Sequence, residues 1–79
     1  MNELDRKIKE IIANSFQVDV AAITDATTSE DVEGWDSLAH GTLILRIQRI
    51  LAVRLEPRAA NAVKNVGELV ALVGKARRG

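Results

Sequence analysis

Apolar residues recur at helical spacing in three stretches of this chain, and the segments between them are polar and without period. In the first stretch Leu4, Ile8, Ile11 and Ile12 fall on one face, with Phe16 extending the stripe by a turn. The pattern predicts a first helix of about 12 residues, inside the usual range for globular helices. Asp5, Arg6, Lys9 and Glu10 are expected mostly toward solvent. Ser15 to Asp19 ends the helix, and Asp19 suits the N-cap of a single turn through Val20, Ala21, Ala22 and Ile23, whose apolar members would pin the next loop to the core. Thr24 to Asp36 is loop chemistry, anchored by Val32 and Trp35. Counted from Gln17 this connection is long for so small a domain, and long connections in compact domains are more often functional than accidental.

The second helix is expected from about Ser37 to about Val53, capped by Asp36, with Leu43, Ile44, Ile47, Ile50 and Leu51 as its apolar stripe. Leu38 and Leu45 fall on the opposite face, roughly 160–180° from Ile47 by the 3.6-residue repeat. Thr42 and Arg49 lie beside them, so this face reads as a contact surface, against the plainer alternative that single exposed leucines are common. Pro57 suits the first position of a short helix ending at Ala62. Asn65 with Glu68 three residues on is an N-cap with a capping-box acid, and Val66, Leu69, Val70 and Val73 give the last helix its stripe. Gly74 and Gly79 are expected to fray its end. The fold class that follows is all-α: a small antiparallel bundle of three main helices and one short one, formed as a single domain by residues 1–79.

Composition narrows the chemistry. The 79 residues include no cysteine, which excludes disulfides and thiolate metal sites, and one histidine leaves no metal-ligand cluster. Eleven basic and eleven acidic residues cancel, so no overall field draws the chain to nucleic acid or to an anionic membrane. The distribution is uneven. From Asp19 to Asp36 the charged residues are all acidic, whereas bases outnumber acids from Arg46 onward. No apolar run approaches a membrane span and the first residues lack a signal peptide's apolar core, so a cytoplasmic monomer is expected.

Ser37 opens the most strongly helical stretch, where unpaired backbone N–H groups and the helix dipole favour an anion. It has three readings: a nucleophile, a modified side chain, or only part of a helix start. Asp36-Ser37 alone is explained by capping. Capping does not account for the preceding Gly34-Trp35, the acidic loop and the outward leucines. Catalysis would need a base, an oxyanion hole and an orienting group; His40 lies one turn from Ser37, but no third group is evident and the chain is too small to enclose a substrate. A helical nucleic-acid binder using Arg46, Arg49 and Arg54 for phosphate contacts is the rival from another class, opposed by the neutral charge and the acidic loop. An unmodified adaptor working through the leucine face is a third reading.

Gly34-Trp35-Asp36-Ser37-Leu38 resembles the phosphopantetheine attachment motif of acyl and peptidyl carrier proteins, and the order of elements is similar to an acyl carrier protein over nearly the full length. The resemblance implies 4′-phosphopantetheine joined to Ser37 by a phosphodiester, with Asp36 and Leu38 as its motif neighbours. It implies a non-catalytic shuttle for acyl or aminoacyl thioesters between biosynthetic enzymes. Its partners would be a phosphopantetheinyl transferase and an acyl- or aminoacyl-loading ligase, synthase or acyltransferase. Leu38, Thr42, Leu45, Arg46 and Arg49 would form the partner surface. Acyl chains can slip between the helices of such carriers, and an aliphatic core is compatible with that. One departure stands out: fatty-acid-type members carry a row of acids on the second helix, where this chain has Thr42, Arg46, Gln48 and Arg49, which predicts partners with acidic or neutral docking faces there. Gly41, inside the same helix, costs about 1 kcal/mol relative to alanine.

Overall fold

A computed structural model describes residues 3–78. Its elements are α1 (Glu3–Phe16), α2 (Ser37–Leu51), α3 (Pro57–Ala62) and α4 (Val66–Arg78), with single 3-10 turns at Val20–Ala22 and Ser29–Asp31 in the long connection. α1 packs on α2 and α4, and α3 packs on α4. The core is aliphatic, with Ile8, Ile12, Leu43, Ile47, Val66, Leu69 and Val73 fully buried. These residues come from the expected stripes of all three long helices, which is why amphipathic periodicity alone was enough to define the bundle.

The boundaries have local causes. Gln17 takes a positive φ of 56° after α1, and Ala52 takes 55° after α2, so both helices end on a left-handed residue. α2 therefore stops short of Val53. Pro57 begins α3, with Glu56 as its cap: the carboxylate accepts from the Arg58 and Ala59 N–H groups. Asn65 Oδ1 accepts from the Glu68 N–H at 2.8 Å, as its spacing implied. The return bond is displaced by one residue, since Glu68 accepts from the Lys64 N–H and not from Asn65.

Four expectations are corrected. Lys9 is not a solvent-facing charge: it is 7% exposed, and its ammonium lies 2.8 Å from Asp5 and 2.9 Å from Asp25. The loop carries Asp25 over α1, so the helix pattern alone could not place it. Of the turn after Asp19 none of Val20–Ala22 is buried; the chain is pinned to the core by Ile23, the residue that ends the 3-10 turn. Ile50, at the edge of its stripe near the end of α2, is 57% exposed. Gly74 does not fray α4, which continues to Arg78; Gly79 lies outside the described residues.

The long connection is fixed at several points. Asp19 accepts from the Ala21 N–H, and Thr28 and Asp31 form a capping box around the second turn. The carbonyls of Asp25 and Thr27 accept from the Gly67 and Val66 N–H groups at 2.9 Å each, which satisfies two open donors at the start of α4. Gly67 approaches so closely that a Cβ there would meet Asp25 at 3.2 Å. Val32 is buried and Trp35 half-buried, the two anchors expected from the sequence.

Candidate functional site

The loop delivers the chain to α2 through Gly34, whose φ of 90° is one that a side chain rarely adopts. That turn folds Trp35 back onto Phe16, with ring centroids 5.1 Å apart in a stacked arrangement. Asp36 follows in extended conformation and caps α2, its carboxylate accepting from the Ala39 N–H at 2.8 Å and its carbonyl from the His40 N–H. Among the described residues nothing accepts from the N–H groups of Ser37 and Leu38 at the positive end of the helix. Ser37 itself is the first helical residue and is exposed. An anion joined to its Oγ would therefore sit beside free donors, and this arrangement fits a phosphodiester.

A cavity of about 500 Å³ opens beside Ser37. Its walls come from the loop, the start of α2, α3 and the start of α4, and they include Thr27, Asn61, Lys64 and Asn65 around an apolar floor at Val63 and Leu69. Lys64 brings a cation to the same cavity as Asp36 and Ser37.

His40, one turn into α2, is half-buried and bonded at both ring nitrogens. Trp35 Nε1–H donates to His40 Nδ1 at 3.0 Å, so the ring proton resides on Nε2, which donates to the Ala60 carbonyl at 2.9 Å. The indole and imidazole planes are also stacked. The Ala60 carbonyl belongs to the last turn of α3, and the Lys64 N–H that could have bonded it in a longer helix is bound to Glu68 instead. Both imidazole nitrogens are thus committed, and His40 has no lone pair with which to take a proton from Ser37. A signal for this was present in the sequence: His40 lies three and four residues before Leu43 and Ile44, at the head of the buried stripe.

The outer face of α2 is as its periodicity implied. Leu38 is 83% and Leu45 65% exposed, with Thr42 and Arg49 also exposed between and beyond them. Thr42 Oγ1 donates back to the Leu38 carbonyl at 3.3 Å. Arg46 is drawn aside, since its guanidinium donates to Ser15 Oγ at 3.2 Å and links α2 to the end of α1. Among the described residues nothing outside its own helix turn lies within 4 Å of where a Cβ on Gly41 would stand, so no packing there requires that glycine.

A small helical bundle that presents an exposed serine at a helix start, after a long loop, has the construction of a carrier domain. The family model described as "Phosphopantetheine attachment site" matches residues 6–73, and the chain belongs to that family. An acyl carrier protein of Amoebophilus asiaticus (strain 5a2) is 32% identical over 76 residues, 95% of this chain and 94% of that protein. One from Sinorhizobium fredii (strain NBRC 101917 / NGR234) is 25% identical over 77 residues, covering 98% of this chain and 99% of the relative. The solution structure of a holo acyl carrier protein from Geobacter metallireducens superimposes with a TM-score of 0.83 at 31% identity, over 99% of this chain and 88% of that one. The role is therefore that of an acyl carrier with covalently attached phosphopantetheine, and the nucleic-acid alternative is not favoured. No helix among the described residues is long and apolar enough to cross a membrane.

Proposed function

We propose that Ser37 is the attachment point of the phosphopantetheine and that this domain, residues 1–79, is a non-catalytic cytoplasmic monomer serving as protein substrate for a phosphopantetheinyl transferase and for an acyl- or aminoacyl-loading ligase, synthase or acyltransferase. The observation that carries this reading is the exposed Ser37 at the first position of α2, next to N–H groups with no acceptor among the described residues. In the transfer, a phosphodiester forms at Ser37 Oγ as the pyrophosphate bond of coenzyme A breaks; adenosine 3′,5′-bisphosphate leaves and the serine proton goes to a base of the transferase. When attached, the group supplies the thiol that holds the cargo as a thioester, which this cysteine-free chain lacks. The chain's own part is to hold and display the hydroxyl. Asp36 fixes the helix start, Gly34 turns the loop, and Trp35 seats it on Phe16.

Leu38, Thr42, Leu45 and Arg49 form the surface that meets these enzymes in this reading, with Arg46 at its edge. The acids Asp31, Glu33 and Asp36 near the serine suit a basic rim on the partner, and the middle of α2 suits an acidic or neutral one. Incubation with coenzyme A and a broad-specificity transferase is expected to raise the intact mass by about 340 Da, the mass of the added prosthetic group. Ser37→Ala is expected to show no gain. An unmodified wild type in the presence of an active transferase, or a modified Ser37→Ala, overturns the assignment.

A further inference from the structure

Trp35 and His40 line the cavity beside Ser37, and their hydrogen bonds run on to the buried Ala60 carbonyl, a strap from the start of α2 to α3. A hydrocarbon chain tethered at Ser37 has a strong incentive to move inward, since each methylene withdrawn from water is favourable. His40 donates from Nε2 to the Ala60 carbonyl and so ties α2 to α3 beside the cavity, across the passage by which a chain from Ser37 would move inward between them. Ala60 is 1% exposed and Leu69, at the cavity floor, is equally buried. A chain that pushed through here would strip partners from the Trp35 N–H, from both imidazole nitrogens and from the Ala60 carbonyl.

We infer that His40 is a specificity-determining residue: it bars the α2–α3 passage, keeps a long aliphatic chain out of the core, and fits this carrier to short acyl groups held outside it. The proposal rests on attachment at Ser37, and it deepens that reading by naming the class of cargo. The polar side chains in the cavity wall, Thr27, Asn61, Lys64 and Asn65, agree with it, because a hydrocarbon laid over them would cover groups that bond to water. His40 acts here through the strap and touches no reacting atom.

The absence of cysteine allows a test that uses no transferase. Ser37→Cys gives the full chain a single thiol, which octyl methanethiosulfonate or methyl methanethiosulfonate converts to an octyl or methyl disulfide. Methyl resonances of Leu43 and Ile47, both fully buried, then report whether the tethered chain enters. In the otherwise unaltered protein the octyl and methyl forms are expected to give the same Leu43 and Ile47 shifts, while in the His40→Ala background the octyl form is expected to differ from the methyl form at those resonances. Trp35→Phe keeps the ring stack but removes the donor, and it is read in the same way where His40→Ala does not fold. Core shifts caused by octyl with the strap intact overturn the proposal, and so does an octyl chain that stays outside when the strap is cut. Failure of the coenzyme A labelling above would instead strike the assignment of Ser37, so the two outcomes are separable.

Discussion

Lys9 shows how one side chain can join three parts of the molecule. Its ammonium is held between Asp5 on its own helix and Asp25 on the long loop, and Asp25 in turn receives the Gly67 N–H of α4 through its carbonyl. The hydrogen bonds to Asp5 and then to Asp25 raise the Lys9 pKa above 10.5, against the opposing effect of burial. A lysine whose pKa is raised by folding contributes stability that is whole below the unfolded value of 10.5 and is lost as pH climbs through the higher folded value. Urea unfolding at rising alkaline pH is expected to show this loss in wild type and not in Lys9→Met, where the two carboxylates keep no cation between them. Equal alkaline slopes for the two proteins would remove the linkage. Gly34 makes a second residue-scale case. Gly34→Ala forces a side chain into a left-handed φ and is expected to cost about 1–2 kcal/mol, measured as a lower urea midpoint with an unchanged slope.

At the scale of elements, the helix starts are secured by different means. α2 uses the Asp36 carboxylate, α3 uses Glu56 and Pro57, and α4 shares its donors among Asn65 and the carbonyls of Asp25 and Thr27. α3 has only six residues, far below the length at which a helix is stable by itself. Its place depends on packing against α4 and on the bond from His40 to the carbonyl of Ala60. Asn65→Ala removes one cap and is expected to lower stability by about 1 kcal/mol, with Asn65→Asp recovering most of it. Chemical denaturation of the three proteins side by side provides the check, and an Asn65→Ala midpoint equal to wild type would show that the loop carbonyls suffice for α4.

Across the whole molecule, apolar surface is divided between a closed interior and one open helix face. The stripes of α1, α2 and α4 meet in the core, while Leu38 and Leu45 stay in solvent on the side of α2 turned away from it. Single exposed leucines are ordinary; two on one face in line with Ser37, with Arg49 beside them, form a surface whose loss would be felt by a partner and not by the fold. Leu45→Ala combined with Arg49→Glu is expected to change folding stability by less than about 0.5 kcal/mol, as for other surface substitutions, while slowing transfer to and from the native partner enzyme. Unaltered transfer kinetics in a stable double variant would make those side chains simple solvated groups.

The sequence by itself determined the helices and their order, because an amphipathic stripe, a cap and a proline act within a few residues of where they stand. It determined the exposure of Ser37 for the same reason, since a helix start after a polar loop is a local feature and the apolar face of α2 points the other way. Only the tertiary structure decided the roles of Lys9, Ile50 and His40. Lys9 becomes interior because a loop sixteen positions further on brings Asp25 to it, and His40 becomes a strap because Ala60, twenty positions away, offers an otherwise unpaired carbonyl. Such partners are set by how the bundle closes, and helical periodicity carries no information about what a loop or a short neighbouring helix will place against a given face.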